Sequence, residues 1–148
     1  RAAATIRTRL QEAAEARGCP FPAFAAEADD EVLRACGLSR AKSRSLRELA
    51  RVERSGTLEH LATGSPDHAA LTAELTPIHG IGQWTCDMAA IFWARCPDVW
   101  PETDVAVQRT FRSLIGARRK ASRAAERFAP ERSRLAVYMW RFTDAQPD

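Results

Sequence analysis

The chain has 148 residues, 45% of them hydrophobic and 28% charged, which suits one globular domain with its own core. Its formal net charge of +3 is too small to mark a nucleic-acid binder by bulk charge, and no apolar run approaches the ~20 residues that span a bilayer. The cysteines, Cys19, Cys36, Cys86 and Cys96, lack C-x-x-C spacing and a His-rich companion segment, so they read as free thiols of a reduced, intracellular protein, with Cys86 and Cys96 buried.

The sequence opens at Arg1 without a Met, already inside a helical pattern and with no signal-peptide pattern. The expectation is a single domain over 1–148 that lacks an N-terminal part. Ile6, Leu10, Ala13 and Ala14 recur at helical spacing and predict a helix over Ala2–Arg17, capped by Gly18. Pro20 and Pro22 predict a loop, and a short helix follows over Asp29–Cys36. Ser39 is a good N-cap for Arg40–Arg54, whose core side is marked by Leu46, Leu49 and Val52. Leu58–Ala62 reads as a short helix before a Gly64-Ser65-Pro66 turn, and Asp67 caps His68–Leu75. Helices over Gln83–Arg95, Val105–Ile115, Ser122–Phe128 and Glu131–Phe142 complete the chain, with a Pro-containing loop over Cys96–Thr103. No alternating run is long enough for a strand, so the fold class is all-α.

Two basic runs stand out: Arg40, Lys42, Arg44, Arg47, Arg51 and Arg54, then Arg118, Arg119, Lys120, Arg123 and Arg127. Solvated helix faces explain both without any partner. The segment Ile78-His79-Gly80-Ile81-Gly82 is less ordinary. Two glycines around an apolar residue permit a sharp turn, and the next helix starts with N–H groups free to meet a phosphate. A tight turn between helices is the alternative use of the same glycines.

The run LTPIHGIGQWTCDMAAIFWARCPDVWPETDVAVQRTF resembles the helix-hairpin-helix/Gly-Pro-Asp superfamily of DNA glycosylases, and within it the 3-methyladenine-DNA glycosylase II branch. CGLSRAKSRSLRELA and FAPERSRLAVYMWR resemble the segments that precede the hairpin and close the domain in that superfamily. The resemblance implies a helix-hairpin-helix over about 67–95 and helical lobes flanking a DNA-facing cleft. Two departures accompany it: His79 stands where the hairpin usually carries Pro, and the superfamily's Gln-rich segment and β-rich subdomain are missing from these residues.

The implied activity is monofunctional excision of alkylated purines from double-stranded DNA by a monomer. The implied setting is the cytoplasm (with the nucleoid if bacterial) or the nucleus. Asp104 opens the helix after the Pro loop, where the superfamily keeps an essential Asp that would stabilise positive charge on the sugar. Capping that helix is its other possible role, and Glu102 is an exposed decoy. Trp84 stands where lyase relatives carry a Schiff-base lysine, so no strand cleavage is expected.

Trp84, Trp140 and Tyr138 are the candidate base-pocket residues, while Trp93 reads as core. The DNA-contact candidates are His79, Gly80, Ile81, Gly82, Thr85, Arg132 and Ser133. Backbone carbonyls of Thr76, Ile78 and Ile81 match an alkali-ion (Na+ or K+) site, and no iron–sulfur cluster or other cofactor is expected. Other readings are a glycosylase for uracil, hypoxanthine or an oxidised purine, and a non-catalytic DNA-binding module. The glycosylase reading requires the Asp104 carboxylate to face a concave surface that a flipped nucleotide can enter.

Overall fold

A computed structural model describes residues 2–59, 67–116 and 118–145. It is all-helical: α1 Ala2–Ala16, α2 Phe21–Glu27, α3 Asp30–Ala35, α4 Arg40–Arg54, α5 His68–Leu75 and α6 Gln83–Met88 lead to a π-helical turn, Ala89–Trp93. Then follow α7 Val105–Ile115, α8 Ala121–Ala125 with a 3-10 turn over Glu126–Phe128, and α9 Arg132–Asp144. Of the helix expected over Leu58–Ala62, residues 57–59 form a helical turn; the rest, and the Gly64-Ser65-Pro66 turn, lie outside the described residues.

The caps fall where the side chains dictate. Ser39 accepts the Lys42 N–H at 3.3 Å, and Asp67 accepts the Ala69 N–H at 2.9 Å. The unexpected element is α2, which occupies the segment read as a loop. Pro22 lies in its first turn, where a missing N–H costs nothing, and Phe24, Ala25 and Ala26 are buried. A seven-residue helix has too short a period to show in sequence; packing against α4 sustains it.

Two hydrophobic clusters define two lobes. Leu10, Phe24 and Leu33 from α1–α3 form one, and Leu71, Cys86, Val99, Val107, Phe111 and Ala136 from α5–α9 form the other. Each fully buried Phe or Leu contributes ~1.5–3 kcal/mol. Helix α4 joins them, with Leu46 packed on the first cluster and Leu49 and Val52 on the second. Arg47 reinforces the joint: its guanidinium donates to Ala28 O at 2.7 and 3.0 Å and to Asp30 at 2.6 Å. This residue of the first basic run is therefore structural.

Candidate active site

The turn between α5 and α6 is built from the inside out. Ile78, 5% exposed, plugs the core, and the Ile81 N–H folds back to its carbonyl at 3.0 Å. Gly80 has φ +78°, a left-handed angle that a side chain would resist. Gly82 then caps α6 in extended conformation. Among the described residues, the N–H groups of Gly80, Gly82, Gln83 and Trp84 meet no protein acceptor. They form the donor set that a hairpin offers a phosphate.

The His79 backbone is occupied differently. Its N–H donates to Glu48 Oε2 at 2.7 Å, and its carbonyl accepts from the Ser45 hydroxyl, whose single proton is shared with Ala41 O at 3.0 Å. Both side chains rise from α4, so the lobe-joining helix also braces the hairpin. The His79 N–H and the Arg44 guanidinium hold the Glu48 carboxyl below the usual carboxylate range. The His79 side chain is exposed, as is that of Thr85. The Ile78 carbonyl, one of three matched to an ion, already accepts the Ile81 N–H.

Behind the hairpin, Asp87 is 2% exposed and receives His68 Nε2 at 2.9 Å and Gln83 Nε2 at 2.8 Å. This clamp fixes α5 against α6. Its sequence signal, a carboxylate inside an otherwise apolar helix, was available.

Asp104 caps α7, with Oδ1 accepting the Val107 N–H at 2.8 Å. Two indoles complete its cradle: Trp84 Nε1 donates to Oδ2 at 2.8 Å and Trp140 Nε1 to Oδ1 at 3.3 Å. Three elements thus converge on one carboxylate. Asp104 is only 7% exposed, so the expectation of an open carboxylate is not met; the half-exposed Trp84 ring, 50% accessible, stands over it. Glu102 is exposed, as expected.

Beside this cradle Phe92 packs on Trp140 with ring centroids 5.5 Å apart, and Phe92 is 61% exposed. Phe92 was not legible as a site residue, and Trp93, expected in the core, is 45% exposed. Ordinary helical spacing explains both: Ala94 lies seven residues after Asp87, four after Ala90 and three after Ile91 and continues their buried stripe, while Phe92 and Trp93 fall outside it. In the π turn the Ala94 N–H bonds to Ala89 O at 2.9 Å, five residues back.

Three other candidates lie elsewhere. Tyr138 is two residues from Trp140, about 200° around the helix. It faces a separate groove of about 410 Å³ with Arg95, Arg134 and Arg141. Ser133 is 7% exposed; its hydroxyl donates to Cys96 O at 2.6 Å and accepts the Val99 N–H at 2.9 Å. Its side chain is fully used in tying α9 to the preceding loop. Arg132 grips Asp98 through two bonds of 2.6 and 2.8 Å, which raises its own pKa and lowers that of Asp98. Both side chains are engaged within the protein, Ser133 through its hydroxyl and Arg132 through Nε and Nη2.

All four cysteines are free thiols; Cys86 and Cys96 are buried, and burial pushes both thiols up.

A two-lobed helical fold with an unpaired hairpin donor set and an indole-held aspartate at a helix mouth is the architecture of a helix-hairpin-helix DNA glycosylase. The chain is 31% identical over 147 residues to DNA-3-methyladenine glycosylase 1 of Schizosaccharomyces pombe, covering 95% of this chain and 64% of that protein. It is also 31% identical over 140 residues to DNA-3-methyladenine glycosylase 2 of Escherichia coli, covering 95% of this chain and 48% of that protein. The chain therefore spans less than two thirds of either relative.

Among solved structures, it superposes on the S. pombe 3-methyladenine DNA glycosylase in complex with abasic DNA with a TM-score of 0.71 at 31% identity, covering 85% of this chain and 64% of that one. A Bacillus halodurans DNA-3-methyladenine glycosidase gives 0.79 at 26% identity, covering 97% and 70%. No protein-family model matches. The chain belongs to the DNA glycosylase superfamily that contains these 3-methyladenine enzymes.

Proposed function

We propose that this protein is a monofunctional DNA glycosylase that hydrolyses the N-glycosidic bond of alkylated purines in duplex DNA. The observation that carries the reading is the convergence of Trp84, Trp140 and the Val107 N–H on Asp104. Departure of a base leaves positive charge on the deoxyribose, and a carboxylate held rigidly beside C1′ stabilises that charge without reorganising. An alkylated purine is itself cationic, so it leaves readily and is attracted to aromatic faces; Trp84, Phe92 and Trp140 supply them. The names of the relatives, and the abasic DNA bound by one of them, point the same way.

In this reading the N–H groups of Gly80, Gly82, Gln83 and Trp84 and the exposed Thr85 hydroxyl meet the phosphates, fixing position without reading sequence, while the Ile81 N–H stays on Ile78 O. An alkali ion at the carbonyls of Thr76, Ile78 and Ile81 belongs to the same proposal. Trp84 occupies the position from which a lysine would attack the sugar and has no amine, so the product is an abasic site in an unbroken strand. The indole on Oδ2 sets one requirement: the half-exposed Trp84 ring tilts about its Nε1–Oδ2 bond as the flipped nucleotide enters and keeps that donor on the carboxylate.

The test is base release from duplexes carrying alkylated purine, uracil, hypoxanthine or oxidised purine, with strand scission scored separately. Release of alkylated purine without scission supports the reading. Release only of another base replaces the substrate, and duplex binding without any release makes the protein a binding module.

A further inference from the structure

The second basic run does not resemble the first once folded. Within the first, Arg44, Arg47 and Arg54 each pair with a carboxylate: Glu48, Asp30 and Glu27. In the second, Arg118, Arg119, Lys120, Arg123 and Arg127 are all exposed, and none has an ion-pair partner among the described residues. These five cations rim a groove of about 850 Å³ between the C-terminal half of α7 and α8. Its floor is apolar, formed by Phe111, Ile115, Ala124 and Phe128. Phe128 is 48% exposed and packs edge-on against Phe111 at 6.2 Å. The nearest acid in sequence, Glu126, turns to the opposite side, toward Asp98 and Arg132. Charge is therefore segregated: the groove gathers five positive side chains in a protein whose whole formal charge is +3.

Repulsion among five unpaired cations around an apolar trough is a standing cost unless a partner relieves it. The groove is also separate from the site already described, since none of its walls supplies a donor to Asp104 or a brace to the hairpin.

We propose that this groove is a docking site for an acidic peptide segment bearing an apolar anchor, supplied by a partner protein. Both halves of the surface are then used. Carboxylates meet the arginines, with bidentate geometry available, and an aromatic or aliphatic side chain covers the Phe111–Phe128 floor. Duplex DNA fits less well: it presents charge on its exterior and keeps its bases stacked inside, so the apolar floor would stay wet.

The test uses the whole chain and a fluorescein-labelled twelve-residue peptide of Asp and Glu with one central Phe, against an otherwise identical peptide carrying Ser at that position. Saturable binding to the Phe peptide is expected, weakened at least about ten-fold by Arg119→Glu with Arg123→Glu, and several-fold by Phe128→Ser or by the Ser peptide. Affinity for duplex DNA should fall far less than affinity for the peptide, since only the overall charge, +3 less 4, changes for a ligand that does not use the groove. Failure of the wild-type chain to bind the peptide overturns the proposal, as does undiminished binding by the variant. A variant that loses affinity for duplex or oligothymidylate equally with the peptide also overturns it, and makes the groove a nucleic-acid contact.

Discussion

Trp84 Nε1 donates to Asp104 Oδ2 across 2.8 Å, linking the first turn after the hairpin to the carboxylate that caps α7. The bond couples the element proposed to hold a strand to the group proposed to act on it. Trp84→Phe keeps a smaller aromatic face and removes this donor. A carboxylate less firmly aimed should lower kcat for base release about ten-fold, the scale of one hydrogen bond to a charged group. Thermal stability should change little, because the ring is half exposed. An increase in kcat would mean that the indole obstructs the carboxylate rather than orienting it.

The α4 brace has its own signature. A Cβ added at Gly80 would lie 2.8 Å from Ser45 Oγ, on a backbone already at φ +78°. Gly80→Ala should therefore destabilise by roughly 1–2 kcal/mol, and Ser45→Gly should recover only the steric share, leaving the backbone strain. Chemical denaturation of the two single variants and the pair separates these contributions.

Glu48 adds a pH dependence. Its folded pKa lies below the ordinary carboxylate value, so its stabilisation is complete above that value and disappears as pH falls through the depressed folded pKa. The His79 amide should lose hydrogen-exchange protection in that acidic window, while Glu48→Ala, which has no acceptor, should show low protection at every pH. If the brace positions the hairpin, Glu48→Ala raises KM on duplex substrate and leaves kcat alone. A kcat effect alone would assign Glu48 a different role.

Much of this was legible in the chain. Asp104, Trp84 and Trp140 are brought together as the motif implies, and the caps at Ser39 and Asp67 form where the sequence places them. What escaped depends on register and competition for partners. The segment after Ala90 is aromatic-rich, but its inward stripe runs through Asp87, Ala90, Ile91 and Ala94, so Phe92 and Trp93 face outward although their side chains suggest a core. Tyr138 and Trp140 look equivalent in an aromatic-rich stretch, yet helical geometry sends them to opposite sides. Arg132 and Ser133 look like strand contacts until their partners, Asp98, Cys96 and Val99, are placed around them.

Ser133 gives a test of the choice between a structural role and a DNA contact. Ser133→Ala leaves the buried Val99 N–H without an acceptor, and an unmet buried donor costs about 1–3 kcal/mol. The variant should melt earlier and, below its melting temperature, bind abasic duplex as the parent does. Weakened binding at unchanged stability would restore Ser133 to the DNA interface.

The central claim is that Asp104 does chemistry in addition to capping a helix, and Asp104→Asn separates the two. The amide oxygen can still accept the Val107 N–H while the amide NH2 then faces the Trp84 Nε1–H, a donor against a donor, so stability should fall by about 1–2 kcal/mol with the cap kept. Single-turnover base release from methylated duplex DNA should fall by about 10²–10³-fold, the scale of losing one preorganised charge stabiliser. Equal release rates in the folded variant and the parent would leave Asp104 a helix cap and contradict the mechanism.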